Sequence, residues 1–166
     1  MSVRVFHYTT MEKLGKILDS RSIFTATGYV PKNERPVVWF STNPVWEETA
    51  NKGIMDALGR ISDGSREKTH KGAGGLARIE VPESITVNWL TFKLESGIKP
   101  VLAKRLARIA KKQNSKPSEW RVSFTSVPES EWISLELFNW EKQFWEPQTY
   151  TRDPSGKGGT IDRIVK

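Results

Sequence analysis

Cysteine is absent from the 166-residue chain, which excludes disulfides, thiolate zinc sites and cysteine nucleophiles. Histidine occurs only twice, as His7 and His70, in no metal-ligand spacing such as His-x-x-x-His, so no metal is expected. No stretch approaches the ~20 apolar residues of a membrane span, and Met1-Ser2-Val3-Arg4 lacks the apolar region of a secretory signal. The expectation is a cytoplasmic protein with no membrane partner. Internal repeats and low-complexity tracts are missing too. What is plentiful is tryptophan, with seven residues, and basic charge: 26 Lys and Arg against 19 Asp and Glu give a net +7. That excess favours polyanionic partners while falling short of a basic tail. The length suits one domain over residues 1–166 that buries roughly two thirds of its unfolded surface. Its tail, 139–166, has no assigned role.

Periodicity gives the expected elements. Val3 to Tyr8 alternates as a strand, and Thr9-x-x-Glu12 reads as a capping box that opens a helix with Met11, Leu14, Ile17 and Leu18 on one face, ending near Ser20. After a polar loop over residues 31–36, the apolar run Val37 to Phe40 reads as a central strand buried on both faces. Trp46 to Ala57 is expected to be helical, capped by Thr42 or Asn43, and the weakly patterned stretch 59–75 to be a mobile loop. Leu76 to Val81 is an expected strand stopped by Pro82, followed by a strand or extended piece over 86–92. Pro100 opens a helix to about Gln113 on the apolar stripe Leu102, Leu106, Ile109 and Ala110. Val122 to Val127, Trp132 to Phe138 and Thr160 to Val165 are further expected strands. About six strands and three helices without regular alternation predict an α+β domain around a mixed or antiparallel, split sheet.

Two short segments carry the chemistry. Phe6-His7-Tyr8-Thr9-Thr10 ends the first strand, and Val37-Val38-Trp39-Phe40-Ser41-Thr42 forms an aromatic strand ending in Ser-Thr. With Gly28-Tyr29 between them, and Trp46-Glu47-Glu48-Thr49-Ala50-Asn51-Lys52 after them, they resemble the core of ADP-ribosyltransferases of the His-Tyr-Glu type. The resemblance covers residues 3–52 and, loosely, 117–127. It implies an NAD pocket in which the nicotinamide glycosidic bond is cleaved and ADP-ribose passes to a macromolecular acceptor. It places His7 on a ribose hydroxyl, Tyr29 against the nicotinamide, and Ser41 and Thr42 in the pocket floor; Tyr8, Trp39 and Phe40 are alternative clamps, and Thr9 lies beside His7. Such chemistry needs a directional partner for the ribose, an aromatic face for the ring and a carboxylate for the developing cation.

Glu119, at the start of the strand that follows Pro117-Ser118, matches the family's catalytic glutamate, with Glu131 and Glu136 as rivals. Arginine-modifying members of the superfamily carry an acidic residue two positions earlier; Pro117 stands there, which disfavours arginine as acceptor. Lys104, Arg105, Arg108, Lys111 and Lys112 lie opposite the apolar stripe of their helix and offer a row of phosphate contacts, so nucleic acid is one candidate acceptor and a protein side chain another. Removal of an RNA 2′-phosphate onto NAD would need several basic residues at the pocket mouth, and Arg4 and Arg35 are too few. A non-catalytic basic α+β module that binds nucleic acid is the competing class. A structural subunit using the tryptophan-rich tail as an interface is the third.

Overall fold

The centre of the architecture is β1 (Val5–Thr10), whose Thr10 side chain caps the helix that follows. In this computed structural model residues 2–26, 28, 30–55, 57–62, 64–152 and 159–162 are described. After β1 come α1 (Met11–Ser20), β2 (Ser22–Ile23), β3 (Val38–Ser41), β4 (Ile54–Met55), β5 (Ile61–Ser62), α2 (Arg66–Gly72), β6 (Leu76–Val81) and β7 (Val87–Asn88). Then follow α3 (Trp89–Glu95), α4 (Pro100–Lys112), β8 (Trp120–Ser123), β9 (Val127–Pro128), β10 (Ser134–Asn139), β11 (Phe144–Pro147), β12 (Thr149–Arg152) and β13 (Gly159–Asp162). Seven strands form one sheet in the order β11-β10-β6-β1-β3-β8-β7. Every pairing in it is antiparallel, so the fold is α+β with an antiparallel rather than mixed sheet, and with four α-helices among the described residues rather than about three.

Side-chain alternation along β1 sorts the interior into layers. Val5 faces α1, where Leu14 and Leu18 join Ile79 and Val81 of β6 in one apolar cluster. Burial of each of those two leucines contributes about 2 kcal/mol. Phe6 and Tyr8 point to the other face, into an aromatic cluster with Trp46, Leu76 and Phe138. Charge is buried in that layer as well. Arg78 lies 4.0 Å over the Phe6 ring and 4.6 Å from that of Trp145, its Nε donates to Glu136, and Arg4 bridges Glu136 and Glu80. The third cluster seats α3 and α4 on β8 through Phe92, Ala103 and Val122.

Four sequence expectations are corrected. The capping residue of α1 is Thr10, whose Oγ1 accepts from the Lys13 amide, rather than Thr9. The described residues of 46–57 form no α-helix: Asn43 Oδ1 accepts from the amides of Val45 and Trp46, and Glu47 Oε1 from that of Thr49. Those side chains close successive tight turns of the backbone, and the only helical piece there among the described residues is one 3₁₀ turn at Glu48–Ala50 ahead of β4. Conversely, the stretch read as loop contains α2, capped by Ser65, and the piece over 86–92 is two residues of β7 followed by α3, capped by Asn88.

Candidate functional site

The two longest strands at the sheet centre, β1 and β6, pair along their whole length, from Val5↔Val81 to Thr10↔Leu76. On its other side β1 meets β3 only at Phe6↔Ser41. Beyond that bridge the strands part, and the gap is spanned by a side chain: His7 Nδ1 donates to the Trp39 carbonyl at 2.9 Å. A carbonyl left without its ladder partner is thereby satisfied, and the bond fixes the ring as the Nδ1–H tautomer. Nε2 has no protein donor among the described residues. Burial, reinforced by the positive charges of Lys13 and Lys52, pushes the His7 pKa down to about 4, so the ring is neutral at pH 7.

A cavity of about 490 Å³ opens at the split, within the size range of small-molecule sites. His7, Tyr8 and Thr9 of β1 and Trp39, Phe40 and Ser41 of β3 all line it, so six sequence-identified residues converge. Leu106 and Ile109 of α4, and Gln113, which caps its end, add to its lining at helical spacing. Trp120 of β8 sets its ring edge-on to Trp39 at 5.7 Å, giving a fixed aromatic wall. Tyr8 contributes differently from what is expected of a ring clamp. Its ring is held by Trp46 and Trp145 at 5.1 and 5.6 Å, its hydroxyl donates to the Asn43 carbonyl, and burial pushes its pKa up to about 12. Tyr29 lies outside the described residues.

The carboxylate in the lining is Glu47, not Glu119. Glu47 is buried; its Oε1 accepts from the Thr49 amide at 3.2 Å, the Thr49 hydroxyl at 2.6 Å, Trp120 Nε1 at 3.2 Å and the Ser115 hydroxyl. Among the described residues its Oε2 accepts from Ser41 Oγ alone, at 2.9 Å, and retains an open acceptor position. All of these donors are neutral. Glu119 instead ties β8 to the end of β3: its carbonyl accepts from the Thr42 amide at 2.8 Å and its Oε2 from Asn43 Nδ2 at 3.2 Å. The rivals lie elsewhere, Glu136 in the Arg4–Arg78 network and Glu131 exposed in a 3₁₀ turn. In the sequence Glu47 reads as part of an expected helix, within the segment that carries the resemblance, and not as a site residue. The signal that could have found it is local: a glutamate two residues before Thr49, after a Ser-Thr-Asn-Pro turn, is placed to cap rather than to continue a helix.

Lys13 of α1 and Lys52 also line the cavity. Partial burial and the charge of Lys13 push the Lys52 pKa down to about 8. Arg4 and Arg35 are occupied elsewhere, Arg4 on Glu80 and Arg35 over the Phe124 ring at 3.8 Å. The basic residues of α4, Lys104, Arg105, Arg108, Lys111 and Lys112, are all exposed, and none pairs with a described carboxylate. Trp140 and Trp145 of the tail pack onto Phe138. Among the described residues no three His, Asp or Glu side chains are grouped as metal ligands, and no helix is long and apolar enough to cross a membrane. No family model, curated protein or solved structure matches the chain.

Proposed function

We propose that the cavity binds NAD and that the protein is an ADP-ribosyltransferase-like enzyme, with Glu47 rather than Glu119 as its catalytic carboxylate. The observation that carries this reading is the convergence of residues 7–9 and 39–41 on one cavity whose lining supplies a neutral imidazole, an aromatic wall and one buried carboxylate. His7 Nε2 accepts from a hydroxyl of the nicotinamide ribose, and Trp39 with Trp120 packs against the nicotinamide. As the bond between the ribose C1′ and the ring nitrogen breaks, its electron pair moves onto the nicotinamide and positive charge develops at C1′. Glu47, held by donors that do not neutralise it, stabilises that charge. An acceptor lone pair then bonds to C1′ and the acceptor loses a proton.

Incubation with NAD tests this through released nicotinamide, with His7→Asn, Glu47→Gln and Glu119→Gln compared and NAD binding measured by calorimetry. The expected result is release that falls at least about 100-fold in Glu47→Gln and survives in Glu119→Gln. The reverse pattern returns the catalytic role to Glu119. Folded protein that neither binds NAD nor releases nicotinamide overturns the reading.

A nucleic acid is the acceptor class favoured by one observation: the helix that supplies Leu106, Ile109 and Gln113 to the cavity carries the unpaired basic row on its exposed side. A polyanion lying along that row would reach the cavity rim. The same row would serve a non-catalytic nucleic-acid-binding module, which salt-sensitive binding without nicotinamide release would identify.

A further inference from the structure

The cavity contains two cations that the catalytic reading leaves unused. Lys13 sits in the first turn of α1, and Lys52 follows the 3₁₀ turn that positions Glu47. Neither forms an ion pair with a described carboxylate. Glu47, the carboxylate of the lining, forms no ion pair with either of them; its partners are Ser41, Thr49, Ser115 and Trp120. Two like charges that both line one partly enclosed cavity repel each other, and an anion between them removes that cost.

The backbone around Lys52 is fixed. Its amide donates to Oγ1 of Thr69, a buried residue of α2, at 3.0 Å. Its carbonyl lies against Gly64 so closely that a Cβ there would be 1.8 Å from the oxygen. The start of α1, by contrast, has no free donors to offer a ligand. The amides of Met11 and Glu12 donate to the carbonyls of Gly75 and Ala73, and that of Lys13 to Thr10. Anion recognition here therefore falls to the two ammonium groups.

We propose that Lys13 and Lys52 form a phosphate subsite at the cavity mouth that holds the diphosphate of the bound dinucleotide. The assignment rests on the reading of the cavity as an NAD site, and it leaves the wall of Trp39 and Trp120 for the nicotinamide. Partial burial and mutual repulsion already hold Lys52 at a pKa of about 8, and a phosphate between the two amines reverses the repulsive part.

The test is a calorimetric titration of the full chain with NAD, inorganic pyrophosphate and free nicotinamide, in wild type, Lys13→Gln, Lys52→Gln and the conservative Lys52→Arg. Neither lysine side chain is tied to a described carboxylate, so unchanged urea midpoints are expected and confirm folding. The expected result is about tenfold weaker binding of NAD and of pyrophosphate in each Gln variant, unchanged nicotinamide binding, and recovery in Lys52→Arg. NAD binding that is indifferent to both Gln substitutions overturns the subsite and leaves the NAD reading standing. Pyrophosphate binding that depends on both lysines, without any binding of NAD, supports the subsite and overturns the NAD reading. Absence of binding by all three ligands overturns both.

Discussion

Acidification probes the split through His7. Its ring is neutral because burial opposes protonation, and its pKa lies near 4 against about 6.5 for the same imidazole in the unfolded chain. Between those two values the unfolded state binds more protons than the folded state, so stability falls as pH falls through that window. The difference corresponds to about 3 kcal/mol present at neutral pH and lost by about pH 4, at about 1.4 kcal/mol per pH unit. His7→Asn isolates the effect, since the amide nitrogen of Asn replaces Nδ1 as donor to the Trp39 carbonyl without titrating. Urea unfolding of both proteins at several pH values from about 7 to about 4.5 spans that window. Wild type is expected to lose stability more steeply than His7→Asn, while His70 and the carboxylates, common to both, cancel. Nitrogen-15 spectra should show the Nδ1–H tautomer down to about pH 5, above the folded-state pKa. A His7 resonance titrating near the ordinary imidazole value of about 6.5, or parallel stability curves, would refute the reasoning.

Three further outcomes follow from the packing. Gly97 has φ +80° and its missing Cβ would lie 2.2 Å from the Asn33 carbonyl, so Gly97→Ala should cost about 2 kcal/mol or more by urea unfolding. Arg4 donates twice to Glu80 and holds that carboxyl below its usual range, so its contribution is present at neutral pH and is lost as Glu80 protonates. Arg4→Met should therefore be more destabilising at about pH 7 than at about pH 3, and equal effects at both would argue against the pairing. If α4 carries nucleic acid, changing Lys104, Arg108 and Lys111 to Gln should flatten the salt dependence of single-strand binding, measured by fluorescence anisotropy, by about 0.7 in log–log slope for each phosphate no longer neutralised.

Local pattern makes part of the fold legible in the sequence. Strands β1, β3 and β6, helix α1 and the cationic face of α4 follow from period and capping, and they bring His7 to Ser41 because consecutive segments of an antiparallel sheet lie close together. Helix α2 is hidden because residues 66–72 bury only Thr69, so they carry no apolar stripe. The stretch 46–57 misleads for the opposite reason. Trp46 marks a buried apolar position, but Asn43 and Glu47 divert the backbone into turns, a side-chain effect that periodicity does not register. Glu119 is misplaced by the same blindness to partners. A glutamate that opens a strand can face a pocket or bind the neighbouring turn, and the side-chain amide of Asn43 decides for the latter.

Glu47 and the two lysines gain their meaning together. Had Lys52 reached Glu47, the cavity would be neutralised internally and would have little to offer a charged ligand. Instead the carboxylate is held by two hydroxyls besides Ser41, an indole and an amide, all uncharged, while both ammonium groups remain without a described carboxylate partner. The arrangement keeps opposite charges apart within one cavity at the cost of repulsion between the amines, and what complements it is a ligand with the inverse pattern. NAD has that pattern, a cationic ring at one end and a diphosphate further along, and in the proposed orientation loss of the ring's charge on cleavage would alter only the end near Glu47. A ligand carrying phosphate alone would satisfy the lysines and leave Glu47 opposed by nothing, so a double dependence, on Glu47 for turnover and on Lys13 and Lys52 for binding, would discriminate the proposed dinucleotide from a simple anion.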